Sequence, residues 1–132
     1  MARILIVDDD KHIAAILNEL LLIDGYQVAI AHNVKEALSF LDEFAVDLII
    51  TDILMPNIDG IEFIKAVREI NNVPIIAMSG GRRSLTPANT IINKSTADLK
   101  LSNAIAVGAN STLTKPFVRA QLQEAVKNVL NA

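Results

Sequence analysis

Asp8, Asp9 and Asp10 stand together directly after an apolar run, Arg3 to Val7. Asp52 closes a second such run and Ser79 a third, and Lys115 follows the short segment Asn110 to Thr114. Each has an ordinary structural reading when taken alone. Asp10 can cap a helix, Ser79 before two glycines can make a turn, and Lys115 can be a solvated lysine. Together they offer carboxylates, a hydroxyl and an ammonium from four separate segments. Crowded carboxylates repel one another, and a hard divalent cation among them lowers that cost. Magnesium takes oxygen ligands and is satisfied by one or two carboxylates plus waters. A carboxylate beside such an ion can attack phosphorus. The ion and a lysine then offset charge on the transferring oxygens, and a hydroxyl can donate to one of them. The chemistry these residue types could do is acyl-phosphate formation.

That chemistry requires a fold that brings the four segments to one edge. Arg3 to Val7 is continuous and β-branched, as expected for a strand covered on both faces. Lys11 to Ile23 carries Ile13, Ile16, Leu17, Leu20 and Leu21 at helical spacing, with Asp24-Gly25 as its stop. Gln27 to Ala31 reads as a second strand. Val34 to Phe44 reads as a helix, with Asn33 as N-cap and Glu36 closing a capping box. Val46 to Thr51 is the third strand, with Asp52 at its C-terminal end. Pro56-Asn57 and Asp59-Gly60 mark a loop and a helix start, and Ile61 to Ile70 is helical. Ile75 to Met78 is the fourth strand. Gly80 to Lys94, with its Gly, Pro87, Ser, Thr and Asn residues, reads as an extended loop. A helix is expected from near Ser95 to Gly108, then a strand over Asn110 to Thr114, and a last helix over Val118 to Leu130.

Strands alternating with helices predict an α/β fold, a five-stranded parallel sheet wound on both faces by helices through right-handed crossovers. Ligands of such sheets bind beyond the carboxyl ends of the strands, near the topological switch point. The polar residues above fall just past those ends.

The chain has 132 residues, which suits a single domain with a core of its own. Hydrophobic residues make up 52%, with 4 Phe, 1 Tyr and no Trp, so the core is aliphatic. A net charge of −3 argues against a nucleic-acid surface. The absence of cysteine excludes disulfides and thiolate metal sites. No apolar run approaches the roughly 20 residues of a membrane span, and the N-terminal run stops too early for a signal peptide. A cytoplasmic protein without a membrane partner is expected.

ILIVDDD, LIITDILMPNIDGIEFI, PIIAMSG and TLTKPF resemble the response-regulator receiver family of two-component signalling, with a chemotaxis-regulator-like character. The resemblance runs nearly the whole chain. It implies a flavodoxin-like (βα)5 three-layer sandwich as one receiver domain over 1–132, with an extended loop at about 80–94 and no output domain. It implies that Asp52 accepts a phosphoryl group from a phosphohistidine on a histidine kinase or histidine phosphotransfer protein. Asp8 and Asp9 would hold Mg2+, with Asp52 and the backbone carbonyl of Leu54 as further ligands. Ser79 would move toward the phosphate, Lys115 would bind a phosphoryl oxygen, and the Lys115–Pro116 bond would be cis. Self-catalysed phosphorylation and autodephosphorylation are implied rather than ordinary enzymatic turnover. The signal would pass by phosphorylation-dependent binding of a downstream protein or by phosphorelay.

Two positions depart from the family pattern. Thr112 stands where an aromatic residue usually lies three positions before the lysine. Ser79 and Lys115 are 36 positions apart, more than is usual in the family, and the extra residues fall in the 80–94 stretch with Arg82 and Arg83 at its start. His12 and His32 have no metal-ligand partners at useful spacing, and His12 reads as an exposed helix-start residue. Two other functions stay open. One is a receiver-like interaction module that is not phosphorylated, which Thr112 and the long loop favour. The other is a phosphatase resembling the haloacid dehalogenase superfamily, with Asp8 and Asp10 as a D-x-D pair.

Overall fold

The computed structural model describes residues 2–53, 60–80, 103–115 and 117–131. Five strands form one parallel sheet: β1 (Arg3–Val7), β2 (Gln27–Ala31), β3 (Leu48–Asp52), β4 (Ile75–Gly80) and β5 (Ser111–Lys115), in the order β2-β1-β3-β4-β5. Between them run α1 (Lys11–Ile23), α2 (Val34–Glu43), α3 (Gly60–Ile70) and a helix α4 described over 103–107; α5 (Arg119–Leu130) follows β5. This is the doubly wound α/β arrangement that the alternating pattern predicts. The strand order reverses between β1 and β3, so the crevice for a ligand opens where Asp8 and Asp52 emerge.

The continuous apolar strands are explained by two cores. Side chains alternate along a strand. Ile4 and Ile6 of β1 pack with Leu48, Ile50, Ile76 and Met78 against α1 and α5, through Leu17, Leu21, Leu122 and Val126. Leu5 and Val7 turn the other way, toward α2, α3 and α4, where Phe63, Ile64, Val67 and Ala104 lie. A strand buried on both sides has no polar face to show.

The caps behave largely as expected. Asn33 Oδ1 accepts the Glu36 N–H at 2.8 Å, but Glu36 Oε1 takes the His32 N–H, also at 2.8 Å, one residue further back than a simple capping box. Gly25 ends α1 at a φ of +92°, and Gly108 follows α4 at +127°, conformations that glycine adopts without a Cβ penalty. β3 begins two residues later than the pattern suggests. Asp47 turns its carboxylate to the Arg3 N–H (2.8 Å), so Val46 and Asp47 lie outside the strand. β4 runs on to Gly80 because that residue pairs with Lys115 of β5. The Pro56-Asn57 loop, most of the 80–94 stretch with Arg82 and Arg83, the helix start near Ser95 and the bond to Pro116 lie outside the described residues.

Arg68 ties together the end of the sheet opposite the acidic residues. Its guanidinium donates to the carbonyls of Gly108 (3.0 and 2.9 Å) and Val73 (2.7 Å), and to Asn110 Oδ1 (2.9 Å). The same Asn110 oxygen accepts the Ile75 N–H at 2.9 Å. Burial lowers the pKa of Arg68, yet these acceptors favour its charged form. Arg68→Met should therefore cost about 2–3 kcal/mol, because it leaves partly buried carbonyls without donors. Urea unfolding measures this, and a loss below about 1 kcal/mol would show that the staple is dispensable.

Candidate active site

β1 and β3 are adjacent and parallel, with Val7 opposite Thr51. Their ends therefore release Asp8 and Asp52 side by side. β4 lies on the other side of β3, with Met78 opposite Asp52, so Ser79 follows at the same edge. β5 pairs Lys115 with Gly80 and completes the row. Parallel strands in register bring residues more than a hundred positions apart to a common point.

The three consecutive aspartates divide by role. Asp10 Oδ1 accepts the N–H groups of His12 (2.9 Å) and Ile13 (3.3 Å) and caps α1. Asp8, Asp9 and Asp52 instead converge, offering oxygens that all lie within 4.8 Å of one another. Asp8 is fully buried, Asp52 is 5% exposed, and Asp9 is half-buried. Lys115 Nζ reaches into the group, 3.4 Å from Asp52 Oδ2 and 3.7 Å from Asp8 Oδ2. Ser79 is fully buried at the end of β4. Leu54 lies outside the described residues.

Two buried atoms here have no hydrogen-bond partner among the described residues, Asp8 Oδ2 and Ser79 Oγ. Buried polar atoms are nearly always paired, so such a pair at one edge marks a place made for something else. Three carboxylates against one ammonium also leave an excess of two negative charges when all are ionised. Hard oxygen donors, a buried carboxylate oxygen that accepts no hydrogen bond and meets only an ammonium at 3.7 Å, and that excess suit a divalent cation such as magnesium.

Sequence reasoning passed over two contributors to this site. Gly60, at the start of α3, lies directly against the backbone of Asp52 and Ile53. His32, to which the sequence assigns no role, is partly buried with Nδ1 3.2 Å from the Asp8 carbonyl oxygen. The capping pattern around Asn33 is visible in the sequence, but a contact between β2's corner and β1's end is not.

The environment pushes the Asp8 carboxyl up from its ordinary 3.8 to about 6. Burial is the largest cause; the Asp10 N–H opposes it, the Asp52 charge adds to it, Lys115 opposes it, and Asp9 adds a little. A carboxyl with a raised folded-state pKa holds its proton more tightly when folded. The stability it contributes is complete below 3.8 and is lost as the pH rises through about 6. Without divalent cations, unfolding free energy at pH 5 should exceed that at pH 7 by about 1 kcal/mol from this group. Urea titrations of wild type and Asp8→Asn check it. Equal pH slopes for the two chains would refute the assignment.

Comparison with known proteins agrees with this geometry. Residues 4–127 match the response regulator receiver domain family. The transcriptional regulatory protein CpxR of Escherichia coli (strain K12) is 31% identical over 130 residues, covering 98% of this chain and 50% of CpxR. The uncharacterized transcriptional regulatory protein YrkP of Bacillus subtilis is 35% identical over 124 residues, covering 94% and 47% of the two chains. The chain thus spans about half the length of these curated relatives. Among solved structures, the chemotaxis protein CheY4 of Vibrio cholerae superposes with a TM-score of 0.78 at 31% identity, covering 98% of this chain and 99% of that one. A response regulator receiver domain protein from Clostridium thermocellum gives 0.80 at 28%, covering 99% and 95%. With the sheet order, the strand-end acids and these matches in agreement, the chain belongs to the response regulator receiver domain family.

Proposed function

We propose that this chain accepts a phosphoryl group on Asp52 from a phosphohistidine of a histidine kinase or histidine phosphotransfer protein. Asp8, Asp9 and Asp52, with the backbone carbonyl of Leu54, would hold Mg2+. One observation carries the reading: the Asp8, Asp9 and Asp52 oxygens lie within 4.8 Å of one another with Lys115 Nζ 3.4 Å from Asp52 Oδ2.

A bound magnesium ion would supply charge neutralisation for the transferring phosphoryl oxygens. The protein's own groups do the rest. An Asp52 carboxylate oxygen forms the new bond to phosphorus, and the phosphorus–nitrogen bond of the donor breaks. The electron pair leaves on the imidazole. Burial of Asp52 strips the water that would otherwise solvate it and compete with it. Lys115 and the Ser79 hydroxyl each donate to a phosphoryl oxygen from the strand ends that carry them. Placed on Asp52, the new charge and its acceptor oxygens would draw Lys115 and Ser79 inward and bias the surface beyond β4 and β5. Partner binding or onward relay of the phosphoryl group would then carry the signal.

Residues 1–132 are read as one receiver unit acting in the cytoplasm. Among the described residues no helix is long and apolar enough to cross a membrane. The phosphatase alternative loses its second aspartate, because Asp10 is engaged in capping α1. A non-phosphorylated module is favoured by Thr112, which sits on β5 opposite Ala77 in place of an aromatic ring. Intact mass after incubation with magnesium and acetyl phosphate separates the two. A gain of one phosphoryl mass supports the proposal; no gain, and no magnesium-dependent spectral change, supports the module.

A further inference from the structure

Asp8 is gripped at both of its backbone groups by the corner that follows β2. Its N–H donates to the Ala31 carbonyl at 3.1 Å, and its own carbonyl oxygen lies 3.2 Å from Nδ1 of His32. A carbonyl oxygen only accepts, so Nδ1 carries the hydrogen in this contact. The backbone that carries the ring is itself anchored. The His32 N–H donates to Glu36 Oε1 at 2.8 Å, and the Glu36 N–H donates to Asn33 Oδ1 at 2.8 Å, both within the cap of α2.

The Asp8 carbonyl belongs to the rigid peptide plane that joins Asp8 to Asp9. Holding that oxygen sets the tilt of the plane, and the tilt sets the direction in which the Asp9 side chain leaves the chain. The Asp8 carboxylate has its own fixings, full burial and the Asp10 N–H on Oδ1 at 2.9 Å. Asp9 is the half-buried member of the acidic group and depends on its backbone for aim. We propose that His32 is a positioning residue: through the Asp8 carbonyl it holds the Asp8–Asp9 peptide in the orientation that lets both carboxylates grip one divalent cation. This rests on the magnesium site of the proposed function.

Calorimetric titration of Mg2+ into the full, unphosphorylated chain tests it. The telling pair is His32→Leu and His32→Asn, which share a branched Cγ. Only Asn carries a nitrogen donor where the histidine Nδ1 stands. His32→Leu should weaken Mg2+ binding about tenfold, the low end for loss of a group that orients a ligand. His32→Asn should stay within about twofold of wild type, and thermal unfolding of the metal-free chains should differ little. A purely structural role would move the melting temperature and leave the two variants alike in affinity. Should the leucine variant melt too early to titrate, His32→Phe restores the ring's bulk without a donor and should show the same tenfold loss. The inference is overturned if the donor-less variants bind as wild type does, or if Asn is as weak as Leu. If the wild-type chain itself binds no Mg2+, the metal site fails and this inference with it.

Discussion

Asp52→Asn is expected to take up no phosphoryl group from acetyl phosphate and magnesium, with a rate at least about a thousandfold below wild type. The substitution keeps the side chain's shape. It replaces an anionic oxygen, whose lone pair attacks phosphorus, with an amide whose lone pair is delocalised. Asp52 is 5% exposed at the end of β3, so no neighbouring water can take over its position cheaply. Removing one carboxylate from a group with excess negative charge relieves repulsion, so the metal-free variant should be no less stable than wild type. Loss of uptake would then report chemistry and not unfolding. Asp8→Asn is the informative companion. It removes an oxygen expected to hold the cation but leaves the nucleophile, so phosphorylation should slow and still fall on Asp52. Intact mass gives the rates, and borohydride trapping with peptide mapping gives the site. Phosphorylation of Asp52→Asn at near wild-type rate, or trapping at Asp8, would sink the assignment.

The second large effect is expected at a residue that carries no functional group. A Cβ added to Gly60 would lie 2.3 Å from the Ile53 Cα, 2.7 Å from the Asp52 carbonyl oxygen and 3.0 Å from the Ile53 carbonyl carbon. All three are backbone atoms, so no side-chain rotation relieves the clash. Gly60 also donates its N–H to the Ile53 carbonyl at 3.2 Å, which fastens the start of α3 to the end of β3. Gly60→Ala must push these segments apart. The expected cost is about 3 kcal/mol, at the upper end for overpacking, because the obstacle is main chain. The same displacement shifts Asp52, so phosphoryl uptake should fall even in conditions where the variant remains folded. Urea unfolding reads the first effect and intact mass the second. A variant within about 1 kcal/mol of wild type, phosphorylated at the same rate, would show that the junction of β3 and α3 absorbs the extra methyl group.

Much of the molecule is legible in the chain. The unbroken apolar run at Arg3 to Val7 reflects burial on both faces, and the two separate cores bear this out. Asn33 and Glu36 announce the start of α2 through local hydrogen bonds, which need only nearby residues. Boundaries were less legible where a distant partner decides them. Asp47 leaves β3 because Arg3, far away in sequence, takes its carboxylate, and Gly80 stays in β4 because Lys115 pairs with it. The three consecutive aspartates show the same division. Asp10 as a cap is a local matter. The convergence of Asp8 with Asp9 and Asp52 depends on β1 lying beside β3.

What the sequence determined by itself was the alternation of elements, the strand ends at which polar side chains collect, and hence the class of chemistry open to them. These follow from periodicity and local capping, which operate over a few residues. Only the tertiary structure decided that Lys115 lies between Asp8 and Asp52, that Gly60 has no room for a methyl group, and that His32 holds the Asp8 carbonyl. Gly60 meets Asp52 and Ile53 only seven or eight positions back, but each of the other two is a contact between segments that meet only after the sheet is assembled. Its geometry is set by strand order and register, quantities that no short stretch of chain encodes.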